Sequence, residues 1–251
     1  MRIGKVVIPC RLESERLPKK MMIDVFGKPM IEHVWRRACL AVEAKDVVIV
    51  TDSELIASHM TSLGAEVYMS QLQHDNGTSR VSEYIAKTSF DFALILQGDE
   101  ILIKPELISD MFQRMSYESV DMINAVSPLK CMEDLFKTDV VKCWIDCNNR
   151  ISFIFRNNPL RDPSRGYRYL RVINGLFALS RNILEVQVEI KHGIANSESI
   201  EQMGILDRGI QVLAHEVKTY LPSVNTQEEL EQAVKLLTTS REQKKILREM
   251  L

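Results

Sequence analysis

Short apolar runs recur through about the first hundred residues, and polar segments with helical spacing separate them. Each run is mostly aliphatic and is bounded by polar or turn-forming residues, as buried strands are. The predicted strands lie at residues 6–8, 46–50, 65–69 and 92–96. The predicted helices lie at residues 29–40, at residues 53–62 and in a stretch that ends near residue 87. Strands that alternate with helices in this order predict an α/β fold with a doubly wound, mostly parallel sheet.

The alternation becomes less regular after residue 100. Strands are predicted at residues 122–126, 140–145, 151–155 and 172–179. Asn148 and Asn149 predict a hairpin turn between two of them. Residues 156–168 show no periodicity and predict a surface loop, and residues 198–206 predict a short helix. A long amphipathic helix is expected to begin at Asn225. This half is therefore predicted to form a smaller mixed β lobe and a C-terminal helix.

The length and composition are those of an ordinary globular domain. The chain has 251 residues, of which 45% are hydrophobic and 26% are charged. A chain of this length can bury a substantial core. No linker rich in proline, glycine or serine interrupts it, so residues 1–251 are predicted to form a single domain with two halves, at about 1–100 and 101–251.

Charge and cysteine content exclude several classes of protein. A formal net charge of −2 predicts no nucleic-acid partner and no attraction to an anionic membrane. No apolar run approaches the ~20 residues that span a bilayer, and the first apolar run is too short for a signal peptide. The five cysteines form no disulfide framework and no C-x-x-C metal motif. We therefore expect a cytoplasmic protein.

A basic loop, residues 10–20, follows the first predicted strand. It contains Arg11, Arg16 and Lys20, with Ser14 between the arginines. Open α/β sheets bind ligands in the crevice outside the carboxyl ends of their strands. Guanidinium groups there suit a polyphosphate, because each can donate two hydrogen bonds to phosphate oxygens. A solvated basic loop is the alternative, but the position directly after a strand favours a binding site.

Two further loops are candidates for binding. At residues 76–80, a glycine and small polar residues precede a helix, so backbone N–H groups can face a ligand. The alternative is a simple helix cap by Thr78 or Ser79. At residues 97–100, Asp99 follows a buried strand and could hold Mg²⁺ opposite the basic loop. A capping role for this aspartate is weaker, because Pro105 marks the start of the next helix.

Together these segments resemble the signature of the sugar-acid cytidylyltransferases. The basic loop has the form R-x-x-S-x-R-L-P-x-K, and G-K-P-M-I follows at residues 27–31. Residues 76–80, N-G-T-S-R, resemble S-G-T-x-R, and residues 97–101, Q-G-D-E-I, resemble Q-G-D-E-P. The pattern is most similar to the 3-deoxy-manno-octulosonate cytidylyltransferase family. Lys19 stands where that family usually has glycine, which favours a different path of the loop.

The resemblance implies the nucleotide-diphospho-sugar transferase fold, transfer of CMP from CTP to an acidic acceptor, and Mg²⁺ as cofactor. It implies that Arg11, Arg16 and Lys20 neutralise the triphosphate and that Asp99 binds the metal. The nucleotide-binding residues would be Pro9, Arg11, Ser14, Arg16, Lys20, Asn76, Gly77, Thr78, Arg80, Gln97 and Asp99. The acceptor-binding residues would be Gln97, Lys142, Arg156, Asn174, Glu201 and Gln202. A homodimer is expected, with residues 1–100 as the nucleotide-binding half and residues 101–251 as the acceptor-binding and dimerisation half.

Three acceptor-side positions depart from the family pattern. Ile173 stands where the family has histidine, Gly204 where it has arginine, and Asn225 where it has an aspartate that is a second magnesium ligand. Asn225 could still cap the last helix, with Glu228 completing a capping box. As a ligand of a hard cation, its amide is weaker than a carboxylate.

These departures leave the acceptor open. The default is a 3-deoxy-2-keto sugar acid of the 3-deoxy-manno-octulosonate type. A changed acceptor, such as another acidic sugar or a small phosphate or phosphonate, is the first alternative, and a non-catalytic nucleotide-binding protein is the second. A site that has lost three polar groups should disfavour the original acid. We therefore expect 3-deoxy-manno-octulosonate to be a poorer substrate than a related acid.

Overall fold

The computed structural model describes residues 1–74, 76–187, 198 and 200–250. The described strands are β1 (Gly4–Cys10), β2 (Asp24–Val25), β3 (Lys28–Pro29), β4 (Val47–Thr51), β5 (Glu66–Met69), β6 (Phe92–Leu96), β7 (Met122–Pro128), β8 (Lys142–Ile145), β9 (Ile151–Phe155), β10 (Leu170–Ser180) and β11 (Leu213–Glu216). The described α-helices are α1 (Met30–Ala41), α2 (Glu54–Ser62), α3 (Gly77–Ile85), α4 (Pro105–Tyr117), α5 (Pro163–Gly166), α6 (Arg181–Gln187), α7 (Glu201–Asp207), α8 (Gln227–Thr239) and α9 (Arg241–Glu249). None of these helices is long and apolar enough to cross a membrane.

A single large sheet organises the molecule, with the spatial order β11-β7-β10-β6-β1-β4-β5. The strands β6, β1, β4 and β5 run parallel to one another, and β11 runs parallel to β7. Strand β10 runs antiparallel between β6 and β7. It also pairs with β8, which pairs with β9, and these strands form the smaller lobe. The predicted fold class is confirmed.

Both faces of the parallel strands are covered by helices. Val6 and Ile8 of β1 pack in a core shared with α1, α2 and α4, whereas Val7 packs in a core shared with α3, α6 and α7. Successive residues of a strand point to opposite faces. A strand buried on both faces is therefore apolar along its whole length, which explains why these strands are continuous apolar runs in the sequence.

The C-terminal segment differs from its prediction in two respects. The expected long helix is two helices, α8 and α9, separated at Ser240, whose side-chain oxygen accepts the backbone N–H of Gln243 and caps α9. Helix α8 is capped by Thr226, and Glu229 completes the capping box. The predicted cap by Asn225 is wrong because Thr226 is also a good cap residue and has its glutamate three positions later.

Helix α8 packs against the loop that follows β6. Several apolar residues of α8 share a cluster with Ile101 and Leu102 of that loop. The backbone N–H of Val224, just before the helix, donates to the carbonyl oxygen of Asp99 at 3.0 Å. This packing brings Asn225 to the end of the parallel strands.

Candidate functional site

Two neighbouring cavities open where the parallel strands end. The strand-end cavity lies beyond the carboxyl ends of β1 and β6 and has a volume of about 490 Å³. The lobe cavity lies between the loop after β6, strand β10 and the segment before α8, and has a volume of about 230 Å³. Ligands of open α/β sheets bind in this region. The strand-end cavity falls in the range of ~300–1,000 Å³ that is usual for small-molecule sites.

The basic loop forms one wall of the strand-end cavity. The predicted nucleotide-binding residues Pro9, Arg11, Ser14, Arg16 and Lys20 all line this cavity. Lys19 has a left-handed backbone, with φ 51° and ψ 33°. This is the conformation that glycine adopts readily and that costs other residues ~1–2 kcal/mol. Lys19 thus adopts the conformation that a glycine at this position would adopt readily, and the expected difference in loop path from the family stays a prediction.

Lys20 joins the basic loop to the opposite wall of the cavity. Its ammonium Nζ donates to Asp99 Oδ2 at 2.7 Å and to Asn225 Oδ1 at 3.0 Å. Arg16 Nη2 also donates to Asn225 Oδ1, at 3.1 Å. The side chains of Lys20 and Asp99 are each only 11% exposed. Charges so shielded from water interact more strongly than charges on an open surface.

Asp99 carries one oxygen that the described residues leave without a partner. Its Oδ1 is buried, and no described residue donates a hydrogen bond to it. Such an oxygen is unfavourable unless a ligand or a metal ion satisfies it. Among the described residues, no group of three or more His, Cys, Asp or Glu surrounds a possible metal position. A hard cation here would take only a few ligands from the protein, and phosphate oxygens or water would supply the others.

The N-terminus of α3 forms another wall of the strand-end cavity. Asn76 and Gly77 line it. Asn76 caps the helix, because its Oδ1 accepts the backbone N–H of Ser79 at 2.8 Å. The predicted caps, Thr78 and Ser79, lie inside the helix instead. Thr78 is buried and its hydroxyl donates to Glu201, so the structure does not bring this predicted residue to the cavity surface.

Arg80 lines the same cavity and ties α3 to the neighbouring strands. Its Nη1 donates to the carbonyl oxygen of Cys10 at 3.1 Å, and its Nη2 donates to Asp52 Oδ2 at 2.7 Å. The hydrogen bond from Arg80 holds the pKa of the Asp52 carboxyl below its usual value. Both contacts fix the guanidinium at the end of β1 and β4.

The lobe cavity collects most of the predicted acceptor-side residues. Its lining includes Gln97, Arg156, Asn174, Glu201 and Gln202. Arg156 is held in the wall because its Nε donates to the carbonyl oxygen of Glu198 at 2.8 Å and its Nη1 to that of Thr138 at 2.9 Å. Gln202 Nε2 donates to Asn124 Oδ1 at 3.2 Å.

Lys142 is the exception among the predicted acceptor-side residues. Its side chain is fully buried and does not line the cavity. Its Nζ donates to the carbonyl oxygen of Lys137 at 2.6 Å and to that of Arg156. Burial lowers the pKa of Lys142 to about 8. The structure therefore makes Lys142 part of the frame that supports Arg156, contrary to the expectation that it contacts an acceptor.

The lining of the lobe cavity also includes residues that were not among the predicted site residues, and Glu100, Asp139 and Tyr220 are three of them. Glu100 Oε1 accepts the backbone N–H of Gly175 at 2.9 Å, and a Cβ at Gly175 would lie 2.5 Å from that oxygen. Burial, together with the neighbouring Asp99, raises the pKa of Glu100 to about 8. The position of Glu100 next to Asp99 could have marked it as a site residue, whereas no local sequence pattern marks Asp139 or Tyr220.

The two cavities share a wall. The residues that line both are Arg16, Gln97, Asp99, Glu201 and Asn225. Ligands in the two cavities would thus meet beside Asp99. Cationic side chains surround the Asp99 carboxylate, whose Oδ1 has no hydrogen-bond partner among the described residues. This arrangement suits the transfer of a phosphate-containing group, because such reactions depend on positioning and charge neutralisation.

The family model described as cytidylyltransferase matches residues 5–168 of the chain. A 3-deoxy-manno-octulosonate cytidylyltransferase of Chlorobaculum tepidum is 35% identical to it, over 92% of this chain and 96% of the relative. The protein of the same name from Escherichia coli is 29% identical, over 88% of this chain and 90% of the relative. The similarity therefore extends over both cavities.

Solved structures are similar as well. A CMP:2-keto-3-deoxy-manno-octonic acid synthetase complexed with CTP has a TM-score of 0.85 at 27% identity, and the match covers 94% of this chain and 98% of that one. A cytidylyltransferase from Leptospira borgpetersenii has a TM-score of 0.67 at 13% identity, and covers 100% of this chain and 94% of that one. The second similarity shows a shared fold alone.

Proposed function

The chain belongs to the cytidylyltransferase family, and we propose that it transfers CMP from CTP to 3-deoxy-manno-octulosonate with release of pyrophosphate. The cytidylyl transfer follows from the family. The acceptor is inferred from the relatives, which match this chain along almost its entire length.

This proposal rests on the observation that the two cavities share a wall. CTP would occupy the strand-end cavity with its triphosphate against the basic loop, and the sugar acid would occupy the lobe cavity. The acceptor hydroxyl oxygen then faces the α-phosphorus beside Asp99. A new oxygen–phosphorus bond forms as the bond to the departing pyrophosphate breaks, and the hydroxyl loses its proton. Holding both reactants in line removes much of the entropic barrier.

The cationic side chains of the basic loop would neutralise the triphosphate. Lys20 is held towards the shared wall by Asp99 and Asn225, so its ammonium group is placed before CTP arrives. Arg11 and Arg16 line the same cavity and can donate to the oxygens of the leaving pyrophosphate. Gln97 lines both cavities and can orient the acceptor beside the nucleotide.

Mg²⁺ is the proposed cofactor, with Asp99 as its main protein ligand. The buried Oδ1 of Asp99, to which no described residue donates, supports this role. Asn225 would be a second, weaker ligand, since its Oδ1 is an amide oxygen that already accepts hydrogen bonds from Arg16 and Lys20. Bound there, the ion would add positive charge next to the reacting phosphate.

The departures on the acceptor side do not outweigh the similarity to the relatives. Gly204 is buried in α7 and does not itself line the cavity. Ile173 does line the cavity, but Arg16 and Arg156 still provide cations for an acidic acceptor. The alternative of a different acceptor is therefore not favoured. The intact basic loop argues against a non-catalytic protein.

A panel of acceptors tests the proposal. Pyrophosphate release would be measured with CTP and equal concentrations of 3-deoxy-manno-octulosonate, a nine-carbon 3-deoxy-2-keto acid and a small phosphonate. We expect the highest kcat/KM with 3-deoxy-manno-octulosonate. A higher value with another acid would contradict the proposed acceptor, and no release with any of them would contradict the proposed reaction.

We also propose that the protein is a homodimer. Large aromatic side chains are exposed on the smaller lobe, namely Trp144 at 38%, Phe153 at 49% and Tyr169 at 53%. Trp144 pairs with Phe153 across β8 and β9, and its ring centroid lies 6.2 Å from that of Tyr169. Contiguous exposed apolar groups commonly mark interfaces. Light scattering should give a dimer that Phe153→Glu converts to a monomer, and a monomeric parent protein would contradict the proposal.

A cytoplasmic location is the last part of the proposal. All five cysteines lie in the described part of the chain and are unpaired. Free thiols persist in a reducing compartment, where disulfides are rare. Cell fractionation would test the location directly, and recovery of the protein outside the cytoplasmic fraction would contradict it.

A further inference from the structure

A buried amide lies behind the wall of the lobe cavity. Asn124 belongs to β7, is 0% exposed and lines neither cavity. Asparagine is depleted in strands, and a buried amide is unfavourable unless its polar atoms have partners. The partners of Asn124 therefore indicate what this side chain does.

Strand β10 is irregular where it passes Asn124. Between two consecutive pairs of the β7–β10 ladder, β7 has one residue, Ala125, and β10 has three, residues 174–176. Such a bulge disrupts the ladder, and buried backbone groups that leave a ladder need other partners. Asn124 Nδ2 donates to the carbonyl oxygen of Asn174 at 3.2 Å and to that of Ala125 at 2.8 Å. Asn124 thus ties the bulge, which lines the lobe cavity, to β7.

These contacts leave the Asn124 amide a single orientation. A carbonyl oxygen can only accept a hydrogen bond, so Nδ2 must be the atom that faces the two carbonyl groups. Asn124 Oδ1 then lies 3.2 Å from the amide of Gln202 and can only accept, so the nearer atom of that amide must be its donor, Nε2. Neither amide titrates, so the two backbone carbonyl groups fix the orientation of Gln202 at any pH at which the protein is folded.

The fixed amide turns its oxygen away from Asn124. Gln202 lies in α7, is only 8% exposed and lines the lobe cavity. In the part of the chain that the structure describes, Gln202 Oε1 has no hydrogen-bond partner, and this atom is not among the fully buried polar atoms without one. Gln202 Oε1 is therefore the atom of this amide that a ligand in the lobe cavity can reach, and it can only accept a hydrogen bond.

We infer that Asn124 is a positioning residue for the sugar acid, because it holds Gln202 so that Oε1 accepts a hydroxyl group of the acceptor. A carboxylate can only accept and would be repelled by this oxygen. Arg16 and Arg156, which line the same cavity, suit the carboxylate of the acid instead. Without Asn124 the Gln202 amide can rotate, and ordering it again on binding costs free energy. This inference rests on the proposed function, since it assigns the orientation of the same acceptor.

Steady-state kinetics with 3-deoxy-manno-octulosonate and calorimetric binding of CTP test the inference in the full chain. Asn124→Leu keeps the approximate size of the side chain and removes both polar groups. It should raise the KM for the acid ~10-fold, the scale of one lost buried hydrogen bond, whereas kcat and the dissociation constant of CTP should change much less. Asn148→Leu is the matched control, because Asn148 is exposed and lines neither cavity.

A double variant separates positioning from a general loss of structure. Gln202→Ala should raise the KM for the acid, and Asn124→Leu should raise it little further in that background, because no amide is left to hold. An increase as large as in the protein that keeps Gln202 would show that Asn124 does not act through this residue, and would overturn the inference.

The remaining outcomes distinguish the inference from the proposed function. An unchanged KM for the acid in a folded Asn124→Leu protein would overturn the inference alone. If circular dichroism shows that this variant is unfolded, Asn124→Val, whose smaller branched side chain suits a strand, takes its place. An unchanged KM in Asn124→Val would likewise overturn the inference. A parent protein that releases no pyrophosphate with this acid contradicts the proposed function, and the inference with it.

Discussion

The two cavities are built from different kinds of structure. The strand-end cavity takes most of its lining from loops that directly follow parallel strands, such as the basic loop after β1 and residues 97–99 after β6. The lobe cavity takes much of its lining from the antiparallel strand β10, from α7 and from residues 220–229, and the rest comes mainly from the loop after β6, residues 139–141 and Arg156. The strand-end cavity therefore follows from the order of strands and loops along the chain. The lobe cavity forms only when segments distant in the sequence pack together.

The shared wall has properties of both regions. Asp99 comes from a strand-end loop and Asn225 from the segment that α8 docks against it, and Lys20 donates to both. Substitutions in this wall should therefore affect catalysis most. Substitutions of residues that line only one cavity should change the kinetic constants for one substrate. Substitutions of buried residues that support a cavity wall, such as Lys142, should change the stability of the fold.

The largest effect is expected for Asp99→Asn. Removing the charge that faces both cavities should lower kcat at least ~10²–10³-fold, the range for losing one preorganised electrostatic group. Steady-state pyrophosphate release would measure this, with circular dichroism to check the fold. Glu66→Gln is the matched control, because Glu66 pairs with Lys5 at 2.9 Å away from both cavities. Near-normal turnover by Asp99→Asn would show that the shared wall is not the reaction centre.

A smaller effect, confined to the nucleotide side, is expected for Lys20→Met. Loss of the ammonium group should lower kcat/KM for CTP ~100-fold, while the KM for the acceptor changes much less. Lys19→Met is the control, because Lys19 is exposed and lines neither cavity. Equal losses in both variants would mean that the general charge of the loop matters and not the position of Lys20.

Asn225→Asp should strengthen metal binding at the shared wall, in contrast to the losses expected for the two substitutions above. A second carboxylate beside Asp99 should lower the Mg²⁺ concentration for half-maximal activity roughly 10-fold, because Mg²⁺ prefers carboxylate oxygens. The preferred acceptor should stay the same. Activity titrated with Mg²⁺ would measure the shift. An unchanged titration curve would indicate that position 225 does not approach the metal.

The smallest effect is expected for Lys142→Met and concerns stability. The pKa of Lys142 is lowered by burial to about 8, against a usual value of 10.5. Between these pH values the unfolded chain binds a proton at this lysine that the folded chain does not, so folding stability should rise with pH through that window. Denaturant unfolding from pH 7.5 to 10 should show this rise in the parent protein and less of it in Lys142→Met. Parallel stability curves for the two proteins would contradict the buried position of Lys142. A large change in the KM for the acceptor would indicate instead that Lys142 contacts the acceptor.

The strands and the nucleotide side could be predicted because the relevant signals are local. Residues 92–96 form β6 as predicted, since a strand covered on both faces must be apolar throughout. The positions of Arg16, Lys20 and Asp99 then follow from the rule that ligands bind at strand ends. The left-handed conformation of Lys19 has no local signal in the sequence, because a residue other than glycine holds it only when neighbouring structure stabilises it.

The acceptor side could not be predicted to the same depth. Whether Lys142 faces a cavity or the frame depends on which carbonyl groups the strands around it present, and the sequence does not show them. The sequence predicts Asn225 as the cap of α8 because asparagine is the stronger cap residue, but Thr226 forms the capping box with Glu229. This error matters for function, because an asparagine without a capping role can turn its amide towards Arg16 and Lys20.

The most direct test of the account is a phosphorus NMR spectrum of the reaction of CTP with 3-deoxy-manno-octulosonate. If the two substrates meet at the shared wall, a new phosphodiester signal and pyrophosphate should appear in equal amounts, and both should be lost in Asp99→Asn. Pyrophosphate accompanied by free CMP would mean that water, and not the sugar acid, reaches the α-phosphorus. That result, or an unchanged CTP spectrum, would contradict the claim that the two cavities form one active site.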